Sequence, residues 1–402
     1  MDSGNIAFML LATALVMIMT PAGLALFYGG LTQRKSVLNT YGMSYAAYCI
    51  ATLAWFAFGY SFAFGDSETK LFGSFEHAFL RGIAPGDESG GIPTSLFITF
   101  QGAFAAIAVA IVSGSIIERV RFSTWLIFAP LWVCLCYAPL ANWVWGGGFL
   151  STAGELDFAG GTVVHINAGV AGLTLCLMLG SRSDLKKEPY RPSSVKLALL
   201  GSALLWFGWF GFNAGSALAA DTSASYALLV TNLAGASGAL AWLVTEWITR
   251  NRRTLFGTAS GVIAGLVGIT PAAGFVDATG AIFIGLASGV TGYFAVMVLK
   301  RWLGYDDALD AFGIHGAVGI VGSLLTGVFA NPAISSGNAG LLYGNPGQVW
   351  VQFVAVAVTI VFAAAATAVC FKIASLLTRG GRISSEQEYQ GMDIAYHGEG
   401  GD

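Results

Sequence analysis

His165-Ile166-Asn167-Ala168-Gly169-Val170-Ala171-Gly172 and His315-Gly316-Ala317-Val318-Gly319-Ile320-Val321-Gly322 follow one plan: a histidine, then glycines four and seven positions on. Each stretch lies inside a long apolar run that contains almost no other titratable group. An ionisable side chain in such a run is costly, so it faces an interior cavity, a substrate or a proton path rather than lipid. Two of them in matching halves of the chain point to a paired site on the midline of a membrane protein.

The composition agrees. Apolar residues make up 55% of the 402 and charged residues 10%, whereas a soluble domain carries roughly 25% charge. So few charges cannot cover a water-facing surface. The apolar runs are ~20 residues long, the length of a membrane-spanning helix. Glycine is abundant, at 54 residues, and small residues let membrane helices approach closely. The five cysteines (Cys49, Cys134, Cys136, Cys176 and Cys370) fall in apolar runs and read as small buried hydrophobes, with no disulfide framework. The N-terminus lacks the basic segment of a cleavable signal, although a signal removed before Met1 is the alternative.

Eleven runs are long and apolar enough to span: roughly 6–28, 41–64, 94–117, 123–143, 160–180, 197–219, 226–248, 255–274, 280–299, 311–330 and 349–377. An odd count puts the termini on opposite sides. The odd-to-even connections and the C-terminal end hold 17 of the 19 Lys and Arg residues; only Lys70 and Arg81 fall on the other side. Cytoplasmic loops carry the excess of basic residues, so the N-terminus is expected outside and the C-terminus in the cytoplasm of a cell membrane protein. The histidine patterns fall on spans five and ten. The expected fold is therefore an all-α membrane protein of eleven transmembrane helices: an inverted five-helix repeat (about 1–180 and 197–330), one extra helix (349–377) and a cytoplasmic tail (379–402). Inverted repeats with a midplane site are a common transporter plan.

Three readings of His165 and His315 compete. They could be interhelical packing residues, metal ligands, or two imidazoles lining a narrow path. Zinc catalysis normally needs three protein ligands; no HExxH is present and no Cys or Glu accompanies the histidines, so no metal or other cofactor is expected. No nucleophile set stands near them either, which argues against a membrane enzyme. The path reading is favoured, because burial disfavours a charged imidazole and a neutral pair can pass a proton or hold a neutral hydrogen-bonding molecule. Asp157, just before span five, reads as a helix cap. Asp306, Asp307 and Asp310 read as a solvated face or caps of span ten, and Glu246 can reach Arg250 at i+4. Trp143, Trp145, Phe100 and Phe104 read by default as an interfacial belt or core packing, with an aromatic vestibule for a small cation as the sharper alternative.

The stretch Asp157-Phe158-Ala159-Gly160-Gly161-Thr162-Val163-Val164-His165-Ile166-Asn167-Ala168-Gly169, running on to Gly180-Ser181-Arg182, resembles the signature of the ammonium transporter family. Phe27-Tyr28-Gly29-Gly30, Gly114 to Arg119, Gly208 to Ser216, Asp306 to Gly316 and the tail from Tyr389 to Glu399 resemble it too, so the likeness covers essentially the whole chain. Trp145 and the paired histidines look more like its bacterial and archaeal branch than its Rh branch. The resemblance implies a channel-like transporter of ammonium, with methylammonium as analogue, and one pore per subunit of a homotrimer. It implies recruitment of the ion at Trp145, Phe104 and Ser216, a gate of Phe104 and Phe212, twin pore histidines His165 and His315, and Asp157 as a buried acid organising the outer site. It also implies a PII-type signalling protein as cytoplasmic partner; no nucleic acid is expected. An ammonium sensor on the same scaffold is the alternative, but sensors append an output domain and only ~25 residues follow span eleven, too few for one.

Overall fold

The structure, a computed structural model, describes residues 2–400 apart from 67, 184 and 186–189. Lys186 and Lys187, counted above with the basic loops, lie outside the described residues. Among the described residues ten helices are long and apolar enough to cross a membrane: Ser3–Leu31, Arg34–Phe64, Thr94–Ile116, Phe122–Thr152, Gly161–Leu179, Val195–Gly215, Thr222–Arg250, Ala278–Leu303, Phe312–Phe329 and Gly347–Leu377. The shorter apolar helix Leu255–Ile269 falls between the seventh and eighth of these. Counted in chain order these are spans 1 to 11, with Leu255–Ile269 as span 8.

The apolar runs locate the spans, and the helices often continue past them. Span 2 starts at Arg34 and span 7 ends at Arg250, because hydrogen-bonded backbone persists where side chains turn polar. Span 8 does the reverse. Its apolar run continues to 274, but Pro271 has no N–H to extend the ladder and the helix stops at Ile269. The residues that follow form turns, and the Pro271 carbonyl accepts the N–H of Phe158 (3.0 Å). A strand pair of two residues each (Glu88–Ser89 with Ile92–Pro93) closes the loop before span 3.

Spans 3 and 5 are the most buried of the long helices. Nearly every residue of span 3 from Gly102 to Ile116 is buried, since it is surrounded by protein rather than lipid. Span 5 packs against it, and span 10 crosses span 5. At their crossing a side chain on Gly169 of span 5 would meet the main chain of Gly316 at 2.3 Å. On span 10, a side chain on Gly319 would come within 3.3 Å of His165 Cβ. The first glycine of each histidine pattern therefore permits the close crossing of the two histidine-bearing helices.

One end of the bundle is tied together by buried charge. Arg182 makes two contacts with Asp306 (Nη2–Oδ1 2.7 Å, Nε–Oδ2 3.0 Å) and one with Glu118 (Nη1–Oε2 2.6 Å). Glu118 also accepts from Thr32 Oγ1 and the N–H of Gln33. Asp306 and Asp307 are buried, which corrects their reading as a solvated face. Asp306 is an ion-pair partner, and Asp307 caps span 10 by accepting from Ala311 N–H (3.1 Å) and Phe312 N–H (2.8 Å). Glu246 does not pair with Arg250: it accepts from the N–H and hydroxyl of Thr254 and so braces the start of span 8, while Arg250 reaches Met297 Sδ.

The segment after span 11 packs across this same end. Arg382 holds Glu388 and the carbonyls of Leu179 and Ser181, and its backbone bridges Val120. Asp393 accepts from the N–H groups of Leu38 and Asn39 at the start of span 2 (3.1 and 2.8 Å). Replacing Arg182 with alanine leaves Glu118 buried without its cation and leaves Asp306 only the 4.0 Å contact with Arg119. The variant is expected to lose about 3–5 kcal/mol of stability, measured as a lowered unfolding midpoint in detergent.

Candidate functional site

The two histidines meet. His165 Nδ1 and His315 Nδ1 are 3.2 Å apart, with ring centroids at 5.3 Å and planes 27° from parallel, and both side chains are buried. A nitrogen-to-nitrogen hydrogen bond needs one donor and one acceptor. The neutral rings must therefore be opposite tautomers: one carries its hydrogen on Nδ1, the other on Nε2.

Each histidine is placed by the same device. Asp157 precedes His165 by eight residues, and Asp307 precedes His315 by eight. Each carboxylate accepts main-chain N–H groups at the start of its span, and each span opens with a wide π-type turn, Gly161–Ile166 or Phe312–Ala317. Such turns are often found at functional sites. Spans 5 and 10, one odd and one even in an alternating chain, run in opposite directions, so the two caps stand at opposite ends and both histidines reach the middle. The equal spacing of acid and histidine is present in the sequence, but reading the histidines with their glycines alone missed it.

The cap at Asp157 is dense. Oδ1 accepts from Gly160 N–H (2.7 Å) and Gly161 N–H (2.6 Å); Oδ2 accepts from Thr162 N–H (2.8 Å) and Val163 N–H (3.3 Å). The chain enters this cap through Gly160 at φ +118°, a conformation that suits glycine. The Asp157 carbonyl accepts the indole N–H of Trp145 (2.9 Å) and thereby fixes that ring.

Trp145, Phe104 and Ser216 line one cavity of about 300 Å³, together with Gln101, Phe158 and other residues. Gln101 lies in no motif of the sequence, and Phe158 follows Asp157 in the signature stretch without a role assigned to it there. The indole stands edge-on to Phe104, at 6.1 Å and 88°. The Ser216 hydroxyl donates to the Phe212 carbonyl (2.9 Å), which leaves its oxygen lone pairs for a donor. Below this cavity Phe104 and Phe212 stack at 4.1 Å and 25°. The Phe212 ring is followed by His165, 6.0 Å away, which also faces Trp209 at 5.5 Å.

Around the histidines the space shrinks to about 10 Å³, with a lining of Leu24, Ile107, Ile111, Leu205 and Ile263. That is about the room one water-sized molecule needs. About one turn beyond Phe27 on span 1 and Ile263 on span 8, at Leu31 and Ser260, a second cavity of about 340 Å³ opens, lined by Glu246, Lys300 and Asp310 among others. Trp145, Phe104, Phe212, His165 and His315 thus follow one another in ring contact, between an aromatic cavity and a polar one, with Asp157 to the side as a helix cap. Among the described residues no three His, Cys, Asp or Glu side chains group to hold a metal.

A fold of eleven apolar helices with two cavities and a narrow apolar space between them is that of a membrane transporter or channel for a small solute. The model of the Ammonium Transporter Family matches residues 7–401. The ammonium transporter of Aquifex aeolicus (strain VF5) is 51% identical, over 99% of this chain and 93% of that protein. The crystal structure of Saccharomyces cerevisiae Mep2 superposes with a TM-score of 0.90 at 36% identity, over 96% of this chain and 88% of the other. A solved structure described as a sensor Amt protein gives a TM-score of 0.90 at 28% identity, over 98% of both. The chain belongs to the ammonium transporter family, whose members are membrane transporters and not enzymes.

Asp157→Ala removes the acceptor from four N–H groups in the first turn of span 5. Its unfolding midpoint in detergent is expected to fall by the equivalent of about 2 kcal/mol, the upper range for a lost helix cap. Unchanged stability would remove Asp157 from the scaffold of the site.

Proposed function

We propose that this protein carries ammonium across the cell membrane by stripping its charge before the throat. The ion is captured at Trp145, Phe104 and Ser216, gives up its proton above the Phe104–Phe212 stack, and passes as ammonia along His165 and His315. The observation that carries this reading is the 3.2 Å contact of two imidazoles inside a throat otherwise lined by apolar and aromatic side chains.

Magnitudes favour the order of events. Moving an intact cation into such a lining costs tens of kcal/mol by Born arguments. Amine-type cations titrate near ~10, so deprotonation at neutral pH costs roughly 3 units, about 4 kcal/mol. Aromatic faces return about 2 kcal/mol at the entrance. Losing the proton first is the cheaper route. The opposite tautomers required of the two rings suit a relay, in which the proton follows through the imidazoles and transport carries charge.

Several features belong to the same proposal. The basic-residue asymmetry supports an outside N-terminus and a cytoplasmic C-terminus. The paired Asp-to-His spacings support an inverted repeat, about 1–180 and 197–330, followed by span 11 and the tail 379–402. Family likeness supports a homotrimer with one pore per subunit and a PII-type partner on the cytoplasmic face. A second reading, an ammonium sensor, is favoured by one observation, the close superposition on the sensor Amt structure.

Ammonium-evoked current in reconstituted vesicles tests the relay. His165→Ala and His315→Ala are each expected to lower it by about a hundredfold, the low end of what a positioned proton-transfer group contributes. Full current with intact selectivity against potassium in both variants would sink the relay. Uptake of methylammonium by cells lacking their own transporters separates a transporter from a sensor and from a pore for water or carbon dioxide.

A further inference from the structure

The carboxyl group of Glu155 plays no part in the reading above. It lies in the turn between spans 4 and 5, buried, two residues before Asp157. Its own N–H donates to the Leu150 carbonyl (3.1 Å). Span 11 pins the residues on either side: Gln348 Nε2 donates to the Gly154 carbonyl (2.9 Å), and Gln352 both accepts from Leu156 N–H (2.8 Å) and donates to its carbonyl (2.8 Å). The packed groups from span 11 are thus neutral amides. The charged neighbour is Asp157, and no ion pair among the described residues involves Glu155.

Counting hydrogens makes the arrangement informative. Thr162 Oγ1 is 2.7 Å from Glu155 Oε1 and 2.6 Å from Asp157 Oδ2. A hydroxyl has one hydrogen, so it can donate to one of these oxygens. The other short contact needs a hydrogen from a carboxyl group. Asp157 is a poor source, because both its oxygens already accept main-chain N–H groups. Glu155 is a good one: its Oε2 is buried and has no partner, a costly state for an ionised carboxylate and a milder one for a neutral acid.

We propose that Glu155 is held as the neutral carboxylic acid, donating through Thr162 to Asp157, and that this chain of two hydrogen bonds locks the outer start of span 5. The lock acts on transport because Asp157 also fixes Trp145 and because His165 lies three residues beyond Thr162. Glu155 is a positioning residue that touches neither ion nor pore. When it ionises, its proton leaves to bulk water, two anions face one hydroxyl, and the first turn of span 5 loosens.

The electrostatics run the same way. Burial, with the Asp157 charge second, pushes the Glu155 carboxyl up to about 8, against the opposing Thr162 hydrogen bond. A carboxyl raised on folding favours the folded state fully below its ordinary value near 4.5, and this contribution is lost as pH rises through about 8. The device is therefore an alkaline switch.

Difference infrared spectroscopy of the full chain in lipid reads the proton directly. A carboxylic C=O stretching band is expected at pH 7, absent in Glu155→Gln, shifted in Thr162→Val, and lost in the unaltered protein as pH rises through about 8. Absence of that band at pH 7, or its persistence in Glu155→Gln, overturns the proposal. The lock is read from methylammonium uptake, as the ratio of the unaltered protein to Glu155→Gln, which cancels titration of the substrate. The ratio is expected to fall several-fold across the same pH range, and a level ratio overturns the lock. The proposal rests on Asp157 ordering the outer mouth, but the band reports Glu155 whether or not that reading holds. Absent uptake in both proteins at every pH, with the band intact, would count against the transport reading instead.

Discussion

One hydrogen bond between two imidazoles organises this molecule. It joins residues 150 positions apart in the chain, on helices that begin at opposite ends of the bundle. The contact serves one nitrogen of each ring; His165 Nε2 is left buried without a partner. Several separate features serve the pairing: Gly169 and Gly319 bring the helices close, the π-type turns aim the rings, and Asp157 and Asp307 fix where each helix starts. The hydrocarbon walls matter as much, because they make a neutral occupant far cheaper than an ion.

Much of this was legible in the residues. Eleven apolar runs gave eleven helices, since hydropathy reports the one property lipid demands. The paired histidine patterns located the throat, because an ionisable residue amid so much hydrocarbon is hard to explain otherwise. The roles of Phe104, Phe212, Trp145 and Ser216 were not readable from pattern alone. They lie on spans 3, 4 and 6, and no local spacing says that an indole, two benzyl rings and a hydroxyl will share one axis. Family likeness supplied that grouping, and the coordinates give its geometry.

The misread residues share a cause. Neighbours in the chain make Asp306, Asp307 and Asp310 a solvated face or caps of span 10 and make Glu246 an i+4 partner of Arg250; Asp307 is such a cap, but Asp306 pairs with Arg182 and Glu246 with Thr254. At the ends of membrane helices, charged side chains sit where protein packing gives way to water, and sequence alone does not say which side of that boundary a carboxylate falls on. Span 8 shows a second limit, because hydropathy cannot register the missing N–H of Pro271.

The capping of span 2 by Asp393 has a consequence for how the chain is made. Leu38 and Asn39 emerge from the ribosome more than 350 residues before the carboxylate that accepts from them. The second helix enters the bilayer with its leading N–H groups served by water, and exchanges that partner for a permanent one only when translation is nearly done. Completion of the earliest part of the bundle is thus deferred to the last part synthesised, so a ribosome that stalls late leaves a bundle whose helices are all inserted but whose first hairpin is still unfinished.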